Sequence, residues 1–176
     1  ITCVAYFPAS CYNRRKEKQA AAQEAVPDGE RKGKRMDRIE LKALAKINLG
    51  LDVLRRREDG YHEVRMIMQT IGLCDGLEIR KTKQPGIQVE TNLYYLPTNE
   101  NNLVYKAAQL LKDEFDLRDG IGIRLRKRIP VAAGMAGGSS DAAAVLWGMN
   151  QMYKLGLSRQ ELMDRGVKLG ADVPYC

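Results

Sequence analysis

The sequence predicts an α+β domain over residues 36–176, because two kinds of apolar periodicity alternate along it. Apolar residues alternate with polar ones in several stretches of the first half, as in half-buried strands. These stretches are Ile39–Ala43, Ile47–Val53, Val64–Ile71 and Leu77–Lys81. A helical spacing follows in Asn101–Phe115 and again from Ala142 to Tyr153. Few helices among antiparallel-looking strands favour α+β over a doubly wound sheet.

The remaining elements are placed by turn and cap signals. Asp59-Gly60 is a turn signal between strands. Ile121, Ile123 and Leu125 return to strand alternation. A last helix is predicted over Arg159–Leu169, because Ser158 and Glu161 have the spacing of a capping box and Gly170 can end it.

Composition and charge are those of a soluble globular protein, with 44% hydrophobic and 29% charged residues. No apolar run reaches the roughly 18 residues that a membrane span needs. Residues 1–36 contribute +4 of the net charge of +7, which leaves +3 for the rest. The basic clusters at 55–57 and 124–128 suit a solvated face, an anionic small substrate or a polynucleotide.

Residues 1–35 lack a core-forming period, and Met36 directly precedes the first patterned strand. We therefore expect a disordered or non-native upstream extension, although Ile1–Tyr12 could also be the tail of a signal or anchor. Cys3, Cys11, Cys74 and Cys176 lack paired zinc-site spacing, and His62 has no partner histidine. We expect no structural metal, reduced thiols and a cytoplasmic location.

A glycine-rich stretch between a predicted strand and a predicted helix is the strongest chemical signal. It comprises Pro130, Val131, Ala132, Ala133, Gly134, Met135, Ala136, Gly137, Gly138, Ser139 and Ser140. Glycines let backbone N–H groups approach a phosphate, and the helix start adds donors and partial positive charge. The alternative is a tight turn that ends in a serine N-cap. The stretch lacks the lysine of a Walker A loop and the spacing of a dinucleotide fingerprint.

This stretch resembles the second motif of the GHMP kinases, with Met135 and Ala136 where leucine and glycine are frequent. The resemblance implies the amino-terminal domain of a GHMP kinase: a mostly antiparallel sheet with helices packed on one side. Where that family continues through a further strand and a second domain, this chain stops at Cys176. We therefore expect an incomplete kinase that lacks its carboxy-terminal domain and is inactive alone.

Three further stretches resemble the diphosphocytidyl-methylerythritol kinase branch of that superfamily. Ala45–Leu49 resembles its first motif, Asp59–His62 its nucleotide-recognition turn and Gly170–Cys176 its catalytic segment. Leu44 departs from the pattern, because a proline commonly stands there. The resemblance makes Asp172 the base that accepts the proton of the substrate hydroxyl, with Lys46 holding it ionised. Without the motifs, an exposed lysine and a helix-flanking aspartate would be the plainer interpretation.

The resemblance also assigns a substrate and cofactors. Tyr61 and His62 would hold the cytosine, and Asn48 would hydrogen-bond the same substrate, although a hairpin turn with Tyr61 half-buried is the structural alternative. The implied reaction is ATP-dependent phosphorylation of a cytidine-diphosphate-linked methylerythritol at its 2-hydroxyl, with magnesium, in non-mevalonate isoprenoid synthesis. Rival functions are a GHMP kinase for a mevalonate-like, homoserine-like or sugar substrate, against which Asp59–His62 argues, and a nucleic-acid-binding module.

Overall fold

The computed structural model describes residues 36–56, 58, 60 and 62–176 of the chain. These residues form two compact units, one of residues 48–69 and one of residues 36–47 with 70–176. The predictions for residues 1–35, and those for Arg57, Asp59 and Tyr61, lie outside the described residues.

Within the described residues, four strands form one mixed sheet in the order β1-β2-β4-β3. Their bounds are β1 Arg38–Arg56, β2 His62–Thr82, β3 Ile87–Thr91 and β4 Gly120–Arg126. β2 pairs antiparallel with β4, with Leu77 opposite Leu125. β3 pairs with β4 in parallel, with Val89 opposite Ile123.

The helices of the described chain follow the strands that they cover. Their bounds are α1 Leu103–Glu114, α2 Gly137–Tyr153 and α3 Arg159–Val167, and a 3-10 turn spans Val173–Tyr175. The side chain of Asn102 caps α1 by accepting from the N–H of Val104. The predicted capping box of Ser158 and Glu161 is present at the start of α3.

The core lies between the sheet and the helices. Alternate residues of β2 and β4, such as Ile79 and Ile123, are buried together with Leu111 of α1 and Met149 of α2. Gly148 lets α2 approach the sheet closely, because a Cβ there would lie 2.7 Å from Leu41 Cδ1. The opposite face carries charged side chains that pair with one another; the pairs are Arg38–Glu78, Arg124–Glu78, Arg124–Glu90 and Arg80–Glu90. The helices therefore cover one face of the sheet, and the predicted fold class is confirmed.

Two pairs of predicted strands are continuous in the structure. β1 runs unbroken through Ile39–Val53, because its apolar residues keep odd numbers there, with the exposed Leu44 as the exception. β2 spans both predicted strands, but its buried positions change from even numbers before Thr70 to odd numbers from Asp75. That change of face is what divided the pattern in the sequence.

Other differences concern short elements and helix ends. The five-residue β3 was not predicted, because a short edge strand with one buried residue, Val89, gives little alternation. α2 begins earlier than its apolar pattern, at Gly137, and α3 ends at Val167 before the predicted Leu169. Among the described helices, none combines the length and apolar character of a membrane span.

Candidate active site

The glycine-rich loop connects β4 to α2 and has an unusual backbone. Ala132, Gly134 and Ala136 lie in the left-handed region, with φ of 60°, 71° and 54°. Such alternation of left-handed with ordinary residues turns successive N–H groups toward one concave side, an arrangement that binds anions. Residues 130–134 are exposed, so this side of the loop is open to a ligand.

The amino-terminal end of α2 continues this surface. Its N-cap residue, Ala136, has no side chain that could accept a hydrogen bond, and the N–H groups of the first turn have no intrahelical acceptor. Gly138 is exposed, and a Cβ there would meet only Leu103 Cδ1, at 3.4 Å. The helix start therefore offers backbone donors and partial positive charge without a covering side chain.

β1 is joined to both ends of this helix start. The N–H of Lys46 donates to the carbonyl of Met135 at 3.1 Å. The hydroxyl of Ser140 donates to the carbonyl of Leu44 at 2.5 Å. These two bonds fix the backbone of residues 44–46 against the loop and thereby position the Lys46 side chain.

The structure brings together Lys46 and Asp172, which are far apart in the sequence. Lys46 Nζ lies 3.6 Å from Asp172 Oδ2, and the two side chains are 6% and 38% exposed. Asp172 directly precedes the 3-10 turn, whose Val173 is buried in the core. A buried cation thus lies beside a carboxylate that a ligand can still reach.

Ser139, Ser140 and Cys176 lie close to this pair. Ser139 Oγ is 3.9 Å from the place that a Cβ of Gly170 would occupy. Cys176 Sγ donates to the carbonyl of Asp172 at 3.2 Å. Cys176 is exposed as a whole residue, but desolvation of its thiol raises the thiol pKa to about 11, and a hydrogen bond with Ser140 opposes the shift. The thiol is therefore protonated at neutral pH and is a poor nucleophile.

Beneath the loop lies a buried charged cluster of Asp75, Lys127 and Asp141. Lys127 Nζ donates to Asp75 Oδ2 and, at 2.7 Å, to Asp141 Oδ2. Burial raises the pKa of Asp141 to about 7, and the neighbouring Asp75 carboxylate adds to this shift, while the Lys127 amine opposes it. Burial alone would lower the pKa of Lys127, but the attraction of the two carboxylates raises it, so the amine remains protonated.

Sequence reasoning missed this cluster. Lys127 was assigned to a basic cluster that suits a solvated face or an anionic partner, but its side chain is 4% exposed. The signal was present in the alternation at the end of β4 and directly after it: Leu125, Lys127 and Ile129 are buried, whereas Arg124, Arg126 and Arg128 are exposed. A lysine in phase with buried apolar residues predicts a buried, paired amine.

The residues predicted to bind the cytidine substrate belong to the unit of residues 48–69. Asn48 and His62 are exposed there, and Tyr61 lies outside the described residues. Arg55 Nε donates to Glu63 Oε2 within this unit. Several large apolar side chains are also exposed; they are Leu49, Leu51, Val53, Leu54 and Ile67.

Comparison with known proteins agrees with the fold and the motifs. The family description "GHMP kinases N terminal domain" matches residues 102–176. A curated 4-diphosphocytidyl-2-C-methyl-D-erythritol kinase from Lachnoclostridium phytofermentans is 62% identical over 141 residues, which are 80% of this chain and 48% of that protein. The chain therefore spans about half the length of the curated relatives it matches.

Solved structures give the same result. A crystal structure of 4-(cytidine 5'-diphospho)-2C-methyl-D-erythritol kinase is 39% identical, with a TM-score of 0.68 over 78% of this chain and 48% of that one. The homoserine kinase of Cytophaga hutchinsonii, 16% identical, has a TM-score of 0.62 over 80% of this chain and 43% of that one, and this likeness concerns the fold alone.

The described chain has the fold of a GHMP kinase amino-terminal domain. Within that class, the chain resembles the 4-diphosphocytidyl-2-C-methyl-D-erythritol kinases, and the resemblance predicted from its motifs is confirmed.

Proposed function

We propose that the protein phosphorylates the 2-hydroxyl of 4-diphosphocytidyl-2-C-methyl-D-erythritol with ATP. The observation that carries this proposal is the ion pair of Lys46 and Asp172 beside an open, glycine-rich helix start. The relatives named for this reaction support the choice of substrate, with 62% and 58% identity in two of them. This reaction supplies isoprenoid precursors in the non-mevalonate pathway, and we place it in the cytoplasm.

The loop would hold the phosphates of ATP. The left-handed residues Ala132, Gly134 and Ala136 direct N–H groups to one side, and the open start of α2 adds partial positive charge. Such contacts stabilise the charge that spreads over the transferred phosphoryl group. Gly138, which is exposed and carries no Cβ, leaves room for the phosphate oxygens.

Asp172 would accept the proton of the attacking hydroxyl. Its carboxylate is partly exposed and lies 3.6 Å from the buried amine of Lys46. The amine also offsets negative charge that develops as the hydroxyl attacks. Phosphoryl transfer depends mainly on positioning and electrostatics. A carboxylate with a fixed cation beside it is therefore sufficient to accept the proton of the attacking hydroxyl.

Magnesium would enter with ATP and neutralise charge on its phosphate oxygens. The hydroxyl of Ser140 donates its proton to the carbonyl of Leu44, which leaves its oxygen to bind a hard cation in place of its contact with the Cys176 thiol. Ser140 is therefore the side chain that would hold the ion together with the phosphates. No group of three or more possible acidic, histidine or cysteine ligands occurs in the described part of the chain.

Tyr61 and His62 would hold the cytosine of the substrate, through contact with a ring face and hydrogen bonds to the base edge, and Asn48 would hydrogen-bond the same substrate. Asn48 and His62 are exposed within their own unit. We expect the substrate to be a small molecule and no nucleic acid or membrane to be needed. Polynucleotide binding would instead weaken steeply with added salt.

The test is substrate-dependent release of ADP by the full-length protein, because the chain spans about half the length of its curated relatives. We expect turnover with the cytidine-diphosphate substrate and magnesium, and none with mevalonate or homoserine. We expect the 176-residue chain alone to give no turnover, because closure of a kinase cleft excludes water and fixes the acceptor. Turnover with homoserine or mevalonate but not with the cytidine compound would overturn the assignment.

A further inference from the structure

The buried amine of Lys127 contacts both sides of the glycine-rich loop. Residues 127–129, the entering segment, directly precede the loop in the sequence, and the first turn of α2, the leaving segment, directly follows it. Lys127 belongs to the entering segment, and its Nζ donates at 2.7 Å to Asp141 in the leaving segment. A single ion pair thereby joins the two ends of the loop from within the protein.

The entering segment is itself fixed to the sheet. Asp75 Oδ1 accepts from the N–H groups of Arg128 and, at 2.8 Å, Ile129, while its Oδ2 accepts from the Lys127 amine. The side chain of Asn92 pairs with the backbone of Lys127, accepting from its N–H at 2.7 Å and donating to its carbonyl at 3.1 Å. Each backbone N–H from 127 to 129 thus has a side-chain acceptor.

The amine lies directly beneath the helix start. A Cβ on Gly137, the first residue of α2, would be 3.1 Å from Lys127 Nζ and 3.0 Å from Ile129 Cγ2. Glycine is therefore needed there for close packing on the cluster. A displacement of the amine would be transmitted to the first turn of α2 through this contact.

Stability alone does not account for such a cluster. Buried ion pairs are often no more stabilising than apolar side chains of similar volume, because desolvation offsets the attraction. Here one cation serves two carboxylates, and Asp141 Oδ1 is buried without a hydrogen-bond partner within the described structure. A partly satisfied charged network is costly, so its use at this position points to a role in geometry.

We propose that Lys127 is a positioning residue that holds the glycine-rich loop in its phosphate-binding shape, by tying the entering segment to the first turn of α2 through Asp75 and Asp141. The inference rests on the proposed function, since the shape matters only if the loop binds phosphates. Lys127 acts through the backbone of Gly137 and the residues around it, and needs no contact with the nucleotide.

The test compares two substitutions of Asp141 in the full-length protein. Asp141→Ala removes the tie, and we expect the Kd and the KM for magnesium-ATP to rise at least tenfold, with kcat and the Kd for the cytidine substrate within threefold of wild type. Asp141→Asn keeps an acceptor oxygen for the Lys127 amine, and we expect it to restore ATP affinity to within threefold. A purely structural role would change both ligands together.

The matched control is Asn150→Ala, at the other end of the same helix. Asn150 is buried and bonds the backbone of Leu157 twice, at 2.9 and 3.0 Å, so its loss also removes buried polar contacts from α2. We expect a lower thermal midpoint and an ATP affinity within twofold of wild type. Equal loss of ATP affinity in Asn150→Ala and Asp141→Ala would overturn the proposal.

A second variant tests the proposal in case Asp141→Ala does not fold. Lys127→Met combined with Asp141→Leu removes a cation and an anion together and leaves Asp75 with its two backbone donors. We expect a folded protein whose ATP affinity is at least tenfold weaker. Wild-type affinity in this folded double variant would overturn the inference alone. Failure of the wild-type protein to bind magnesium-ATP would overturn the proposed function and, with it, the inference.

Discussion

The helices α2 and α3 begin in opposite ways. α3 starts with a closed capping box, in which Ser158 and Glu161 satisfy each other's backbone N–H groups. The N-cap of α2 is Ala136, which is left-handed and provides no side-chain cap. A capping side chain is worth about 1 kcal/mol, and a left-handed alanine costs about as much. Of these two helix starts, only that of α2 gives up stability, which is the pattern expected of a binding site.

The same contrast appears beneath the two helix starts. The first turn of α2 rests on the buried charges of Lys127, Asp75 and Asp141, whereas the cap of α3 is exposed to solvent. The Lys46–Asp172 pair also lies on the α2 side, because Lys46 bonds the loop at Met135. If this difference marks function, substitutions at the two helix starts should change different measured quantities.

The largest effect is expected at the carboxylate beside the open helix start. Asp172→Asn in the full-length protein should lower turnover at least a hundredfold, because it removes the proton acceptor and keeps the shape. ATP affinity should stay within threefold, since few phosphate contacts are lost. Steady-state ADP release and calorimetric titration with ATP measure the two quantities separately.

The control for Asp172→Asn is the same substitution in α3. Asp164 is exposed and accepts from Gln160 at 2.9 Å, so Asp164→Asn should leave turnover within twofold. Turnover of Asp172→Asn within tenfold of wild type, which corresponds to about 1.4 kcal/mol of barrier, would contradict the assignment of Asp172 as the base.

The next effect concerns the approach of phosphate to α2. Gly138→Ala should weaken ATP binding about tenfold or more, because the new methyl group obstructs the exposed backbone while making only ordinary contact with Leu103. Gly137→Val should also weaken ATP binding, but its side chain would press on Ile129 and Lys127 and so disturb the interior.

The readout for Gly138→Ala is the Kd of each ligand by calorimetry. The cytidine substrate should bind as in wild type, and Gly72→Ala, with no atom within 4 Å of the new Cβ, should change neither Kd. An unchanged ATP affinity in folded Gly138→Ala would remove this part of the loop from the nucleotide site.

Much of the fold and of the contrast between the starts of α2 and α3 could be predicted from the sequence. The apolar periodicity predicted α1 and β4, and the spacing of Ser158 and Glu161 predicted the cap of α3, because each of these signals depends only on nearby residues. The glycine-rich stretch was recognised for the same reason. The meeting of Lys46 with Asp172 was not available from spacing and followed only from resemblance to a known family.

The buried cluster and the backbone strain could not be predicted in the same way. Asp75 lies in β2, Lys127 directly follows β4 and Asp141 lies in α2, so their contact depends on how these three elements pack. The alternation of buried and exposed residues could have indicated that Lys127 is buried, but it could not identify its partners. The left-handed conformations of Ala132 and Ala136 run against residue preference, so only the structure could reveal them.

A smaller effect, on stability alone, is expected at the closed helix start. Ser158→Ala should lower the free energy of unfolding by about 1 kcal/mol and leave ATP affinity unchanged, because the lost bonds serve only α3. Chemical denaturation and ATP titration of the full-length protein measure both. Weaker ATP binding in this variant would show that the two helix starts are not independent.

The same substitution predicts a pH dependence. Hydrogen bonds from Ser158 hold the pKa of Glu161 below its ordinary value. The stabilisation is therefore present above the pKa of an unfolded glutamate and is lost as the pH falls through the lower, folded value. The difference in stability between wild type and Ser158→Ala should be full at pH 7 and shrink in acid, which denaturation at several pH values measures.

The smallest effect is expected from relief of the strained N-cap of α2. Ala136→Gly removes the steric cost of a left-handed alanine, about 1–2 kcal/mol, and adds the flexibility of glycine to the unfolded chain, about 0.5–1 kcal/mol. The net result should be a gain of about 0.5–1 kcal/mol in the free energy of unfolding. ATP affinity should stay within twofold, because the N–H groups of the first turn keep their directions.

The control is Ala133→Gly in the same loop, where φ is not left-handed, and it should give no gain in the free energy of unfolding. Denaturation of both variants decides the matter: if Ala136→Gly is no more stable than Ala133→Gly, the open helix start carries no backbone strain, and the energetic contrast between α2 and α3 reduces to the missing cap.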